Sequence, residues 1–320
     1  MGDGTAKNPY TREDVLRLIE ENGGTAEGLD LTGKWFEAYI DLSKLNLTGI
    51  IFRKAQLRTA NFKGSDLSNA HLERAFLLNT ILENTLLVSA NLENAFIVYA
   101  SLEGADLMSA NLKGANLEGA YLKGAKLVAA NLKGTELRSA ELIHAHLHRT
   151  SFSFDTEFEQ VKWGPDYKIG EELDRIFESA ANAYRNLKMW YTEHGIYDVA
   201  GKFFYREMEA KRKAQSWEKK PHLKLWNWVM RLLCGYGEKP ERVVISALVI
   251  IFGLAIAYRF GGLSLPYSIY YSFVSFTALG YGSWVPQPTD WVKGLGVAEA
   301  VIGVFMMALF LVTFTRKMTR

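Results

Sequence analysis

Residues 90–124 read ANLENAFIVYASLEGADLMSANLKGANLEGAYLKG. Leucine or isoleucine falls at every fifth place, with alanine two places before it, as in Ala90 with Leu92 and Ala95 with Ile97. A residue recurring at that interval on an α-helix drifts by about 140° each time, so no helix face gathers the leucines. On a strand an odd step alternates faces and would send half of them outward. All of them point inward only if the chain turns a corner once per repeat. Four such sides close a square coil of about twenty residues, and stacked coils pair like strands. The alanine follows from the same geometry, because so narrow an interior has no room for a large residue at both inward positions.

The period holds without a break from Leu42 to Phe152. This run of A(D/N)LXX repeats resembles the pentapeptide-repeat family. The resemblance implies a right-handed quadrilateral β-helix, placed here at residues 42–158. Some strongly acidic members of that family mimic DNA. Here basic residues such as Lys44, Arg58, Lys113, Lys126 and Arg138 slightly outnumber the acidic ones between Leu42 and Phe152, whereas a mimic needs a strong negative field. His144, His146 and His148 flank the inward Ala145 and Leu147, so all three are expected to face solvent. Metal or proton sensing is the other reading that histidine chemistry allows.

The whole chain has 320 residues and a formal charge of +2. Its length suits two or three domains, and its charge balance argues against a nucleic-acid partner. Cys234 is the only cysteine, which excludes an intrachain disulfide and a cysteine-based metal site. No P-loop, metal-ligand pair or nucleophile setting is present, so no enzyme is expected. Residues 1–41 form a predicted helical cap: Tyr10–Glu21 carries apolar residues at helical spacing, Thr11 is the candidate N-cap with Asp14 three places on, and Gly23-Gly24 stops the helix. The polar N-terminus lacks an apolar signal stretch, so this portion is expected to stay in the cytoplasm.

After Phe158 the period ends, and residues 159–220 read as a cytoplasmic helical hairpin broken at Gly195. Ile176, Ala180, Ala183, Tyr184 and Leu187 make one apolar stripe, and Ala200, Phe203, Phe204 and Met208 another. The pattern is similar to a single tetratricopeptide-type hairpin, which implies a connector, a dimer contact or a binding site for an unidentified cytoplasmic partner. Residues 221–239 follow a basic cluster and carry Leu225, Trp226, Trp228, Val229, Leu232 and Leu233, the composition of an interfacial helix. Gly235-Tyr236-Gly237 is read as a turn.

Residues 240–320 hold two apolar stretches long enough to span a bilayer, about 243–260 and 291–315. Arg242 and Lys239 precede the first, and Arg316, Lys317 and Arg320 close the second. The positive-inside rule therefore places both termini in the cytoplasm of a multi-pass protein of the cell's inner (plasma) membrane. Between the spans lies Tyr270–Pro286, YYSFVSFTALGYGSWVP. Its centre, Thr277-Ala278-Leu279-Gly280-Tyr281-Gly282, resembles the selectivity filter of potassium channels, whose backbone carbonyls replace an ion's hydration shell. The resemblance implies a pore helix and re-entrant loop over 267–286. The carbonyls of Ala278, Leu279, Gly280 and Tyr281 would be ligands, Gly282 would complete the filter, and Thr277, Ser283 and Trp284 would support it. Glu299, a carboxylate within the second apolar stretch, is expected either to brace the back of the loop as a further support or to sit in interfacial water. One loop per chain cannot encircle an ion, so a homotetramer is required. K⁺ or another monovalent cation is the permeant ion, and no other cofactor is expected.

Further resemblance to two-transmembrane potassium channels puts Gly303 at the position of their inner-helix hinge, with Met307 and Leu311 as a hydrophobic gate. Packing through a small residue is the alternative for Gly303. The sequence departs from the family's Thr-Val-Gly-Tyr-Gly-Asp at Ala278, Leu279 and Ser283. Ala278 removes the hydroxyls of the innermost ion site. Three functions therefore stand open: a potassium-conducting channel with a repeat domain for assembly or gating, a non-selective cation channel, and a membrane-anchored scaffold with a closed pore.

Overall fold

The computed structural model describes residues 2–215, 221–279 and 290–318. The chain divides into two compact units, Met1–Trp190 and Tyr191–Arg320.

The first unit opens with α1 (Arg12–Glu21), which begins on a capping box: Thr11 receives the Asp14 amide and the Asp14 carboxylate receives the Thr11 amide. The square coil follows. Parallel bridges join residues twenty apart along its four sides, as in Asn91 with Asn111, Phe76 with Phe96, Ser101 with Tyr121 and Asp106 with Lys126. Leu92 donates to the Asn111 carbonyl at 2.7 Å, and the Asn111 amide donates to the Ala90 carbonyl at 3.0 Å. Each side is so short that only single-residue bridges form. Among the described residues no continuous strand develops, and the coils pair through these single bridges.

Every corner is a tight turn. Leu47 accepts from the Ile50 amide at 3.2 Å, with Gly49 between them at φ 68°. A positive φ at the third place of such a turn is why glycine recurs there, at 104, 114, 119 and 124. The inward residues are fully buried, leucines such as Leu87, Leu107 and Leu127 beside alanines such as Ala90 and Ala110. Each such leucine contributes on the order of 1.5–3 kcal/mol of burial. Where Ser65, Thr85 or Thr135 replaces the alanine, its hydroxyl donates to a main-chain carbonyl of the preceding coil, at 2.7, 2.8 and 2.9 Å. The buried polar atom is thereby satisfied.

The coil reaches beyond the span the period marks. Asp30 bridges to Ile51 and Glu141 to Lys162, both at a spacing of 21 instead of 20. One extra residue at each end breaks the count of five without breaking the coil. Its C-terminal end is covered by α2 (Gly170–Leu173), and α3 (Phe177–Glu193) follows. Here the outward-facing histidine string needs correction. His146 Nε2 meets Asp174 Oδ2 at 2.8 Å, and the His148 amide donates to Glu171 Oε1 at 2.5 Å, so the cover lies over both residues. No three metal-binding groups converge among the described residues. Ile176 also leaves its expected stripe: it precedes α3 and is exposed, whereas Ala180, Ala183, Tyr184 and Leu187 are buried.

The second unit contains α4 (Tyr197–Ala214), α5 (Pro221–Cys234), a 3₁₀ turn (Gly235–Gly237), α6 (Pro240–Phe260), α7 (Leu265–Thr277) and α8 (Asp290–Met318). Within α6 and α8, Pro240–Phe260 and Trp291–Thr315 are long and apolar enough to cross a membrane, with mean hydropathy 2.3 and 2.4. The shorter α7 is packed against both.

Candidate pore site

Pro266 stands in the first turn of α7, where its missing amide costs no hydrogen bond. The helix buries Ser268, Tyr271, Ser272 and Ser275 among otherwise apolar neighbours. Its end is set by Ala278, which adopts φ 54° and ψ 28°. The Ala278 amide returns to the Ser275 carbonyl at 3.1 Å and the Leu279 amide to the Val274 carbonyl at 3.3 Å. This is the Schellman arrangement, in which glycine usually holds the left-handed place. Leu279 is 76% exposed. Thr277 turns its hydroxyl back onto the Phe273 carbonyl at 2.8 Å. Gly280, Tyr281, Gly282, Ser283 and Trp284, all expected in or beside the filter, lie outside the described residues, as does Pro286.

Glu299 on α8 is fully buried. Tyr258 on α6 donates its hydroxyl to Glu299 Oε2 at 2.5 Å, and Ser272 on α7 reaches Oε1 at 2.5 Å. Ser272 Oγ also lies 2.7 Å from the Ile251 carbonyl of α6. One carboxyl group thus ties three helices together behind α7, in a setting where an unpaired polar group is costly. Tyr258 and Ser272 were not singled out from the sequence. They lie 41 and 27 residues from Glu299, and the one local signal was a hydroxyl recurring inside an apolar run. Tyr258 packs edge-on against Tyr271, with centroids 4.9 Å apart.

Gly303 sits where α8 crosses the end of α7. A Cβ there would overlap the carbonyl group of Phe276, so only glycine lets the two backbones approach so closely. Helix α8 runs on through this position from Asp290 to Met318. Phe276 belongs to a buried cluster with Cys234, Val243, Ile251 and Met306. Met307 and Leu311 lie on one side of α8 and line an apolar cleft of about 360 Å³ with Val244, Leu248 and Phe276.

Residues 244–320 match a family model described as ion channel. Eight copies of pentapeptide repeats match across 40–79, 85–124 and 115–153. Among solved structures, the pentapeptide repeat protein Rfr23 from the cyanobacterium Cyanothece 51142 is 28% identical over 47% of this chain and 97% of its own, with a TM-score of 0.23. HetL from Nostoc sp. strain PCC 7120 is 24% identical over 50% of this chain and 99% of its own, with a TM-score of 0.17. A pentapeptide repeat protein of the Arabidopsis thaliana thylakoid lumen is 24% identical over 41% of this chain and 77% of its own, with a TM-score of 0.21. No curated protein matches the chain.

Proposed function

We propose that this chain, which joins pentapeptide repeats to an ion-channel segment, assembles as a homotetrameric, potassium-conducting cation channel. Four copies each contribute one loop, and the carbonyls from Ala278 to Tyr281 line the ion path. The observation that carries the reading is the helix α7: too short to span, clasped between two apolar helices, and turned out of its helical course at Ala278. Its C-terminal dipole end favours a cation beyond it. The basic residues flanking the spans support a cytoplasmic position for both termini. The repeat coil, taken as the right-handed β-helix of its family, then lies in the cytoplasm with the helical hairpin, as an assembly or gating element. Residues 221–239 rest at the membrane interface.

A second reading, a non-selective cation channel, is favoured by Ala278, which offers no side-chain hydroxyl, and by Thr277, whose hydroxyl is turned back into its own helix. The reversal potential of the full chain in planar bilayers, with K⁺ on one side and Na⁺ on the other, separates the two. A value near the K⁺ equilibrium potential supports potassium selectivity, and a value near zero supports the non-selective pore. Absence of current in every condition overturns both in favour of a scaffold.

A further inference from the structure

Helix α4, helix α5 and the turn that precedes the first span meet at one buried carboxylate. Glu209, in the fourth turn of α4, is 4% exposed. Its Oε1 accepts from the Tyr236 hydroxyl at 3.0 Å and pairs with Arg231 Nε at 3.0 Å, while Oε2 receives Arg212 Nη2 at 3.0 Å. Arg212 shares its helix, Arg231 lies on α5, and Tyr236 occupies the turn that leads into α6. Burial pushes the Glu209 carboxyl up, but the hydrogen bonds from Arg212 and Tyr236 and the two guanidinium charges outweigh it and hold the group below the usual carboxylate range. Burial and the Glu209 charge push the Tyr236 phenol well up, so it remains a donor.

Tyr236 is also the strained member of this cluster. It holds φ 59° and ψ 28° between two glycines, a conformation that a side chain this large keeps only when its surroundings over-determine it. Those surroundings are the Glu209 carboxylate and the Tyr205 ring of α4, whose centroid lies 5.7 Å away. On the far side of the turn, Cys234 enters the cluster that contains Val243, Phe276 and Met306. The same turn therefore touches α4 through Tyr236 and, through Cys234, the core that seats the end of α7 against α8. Separating Glu209 from the turn would take away the Tyr236 hydroxyl and leave Arg212, on its own helix, as a remaining partner of a buried carboxylate, so the contact favours α4 and the turn before α6 moving together.

We infer that Glu209 is a positioning residue for ion conduction, the latch through which a displacement of α4 reaches the cytoplasmic end of α6 and the base of the pore helix. The inference rests on the conduction reading above. The test is a double-variant cycle on the full chain in planar bilayers, comparing Glu209→Gln, Tyr236→Phe and the two combined. Each single change is expected to shift the open probability several-fold in the same direction, with single-channel conductance and reversal potential unchanged. The combined variant is expected to shift it no further than Glu209→Gln alone, because the contact that Tyr236→Phe removes is one that Glu209→Gln already disrupts. Open probabilities equal to the unaltered protein, or shifts that multiply in the combined variant, overturn the latch. If the unaltered chain passes no current, it is the conduction reading that fails. The latch is then decided by amide exchange over residues 235–247 in the same four proteins: faster exchange in each single variant with no added rise in the combined one supports it, and additive rises overturn it.

Discussion

The backbone of Gly303 lies against the carbonyl group of Phe276 so closely that a single added methyl group would occupy the same space. Helix α8 and the end of α7 are thereby fixed to one another without any side chain between them. Gly303→Ala forces the two helices apart, at a cost of about 1–3 kcal/mol for overpacking. The expected result is a lower melting temperature of the detergent-solubilised protein and a displaced reversal potential. A pure hinge role predicts unchanged melting with altered open probability alone, so the two measurements separate the roles.

Glu299 holds two hydroxyls from two helices. Removing it in Glu299→Ala takes the carboxylate from the Tyr258 hydroxyl, at about 1–3 kcal/mol for a buried group that loses its partner, whereas Ser272 keeps the Ile251 carbonyl as an acceptor. Glu299→Gln keeps one carbonyl oxygen and is expected to cost less. Thermal unfolding of the two variants in detergent, ranked with Ala below Gln, checks this.

Ala278 occupies a left-handed place at φ 54°, which costs a residue bearing a Cβ about 1–2 kcal/mol relative to glycine. Ala278→Gly is therefore expected to raise the melting temperature, and a β-branched replacement such as Ala278→Val to lower it. Calorimetry of the purified protein reads both.

The Glu209 carboxyl titrates below its ordinary range in the folded chain. A group with a depressed folded value stabilises fully above its unfolded value of about 4.3, and that contribution disappears as pH falls through the folded value. Acidification from pH 5 downward is thus expected to destabilise the protein, and Glu209→Gln to flatten that part of the profile. Chemical denaturation of both proteins across this range tests the sign.

In the coil, Leu107 is 1% exposed, with inward alanines on either side. Leu107→Ala opens a cavity and is expected to cost about 2–5 kcal/mol, read as loss of the coil's protease resistance. The exposed Met108 next to it predicts no such effect.

The coil was legible because its period excludes both ordinary elements and because every inward position repeats the same chemistry. Its ends were not, since one inserted residue near Phe36 and another before Glu157 break the count while the stacking continues. The threonines at inward alanine places bond through their hydroxyls to carbonyls one coil away, a partner that no local pattern reveals. His146 and His148 looked solvent-facing because the five-residue rule describes the coil alone and says nothing of the segment that covers it. Glu299 stood out as a carboxylate in an apolar helix, but its partners did not, because each comes from a different helix. Nothing local marks Glu209, whose partner Tyr236 lies 27 residues away in a turn. Periodicity reports which face is buried; it carries no information about which polar groups meet there.

The coil's four-sided repeat has a geometric corollary. Since a corner comes once per five residues, inserting or deleting one repeat turns everything beyond it by a quarter revolution, whereas a change of twenty residues restores the original heading one storey higher. The cover at Gly170–Asp174 would keep its compass bearing only under changes of whole storeys. Length and orientation are in this way indexed separately, as in a spiral staircase whose landing faces the same wall on every floor.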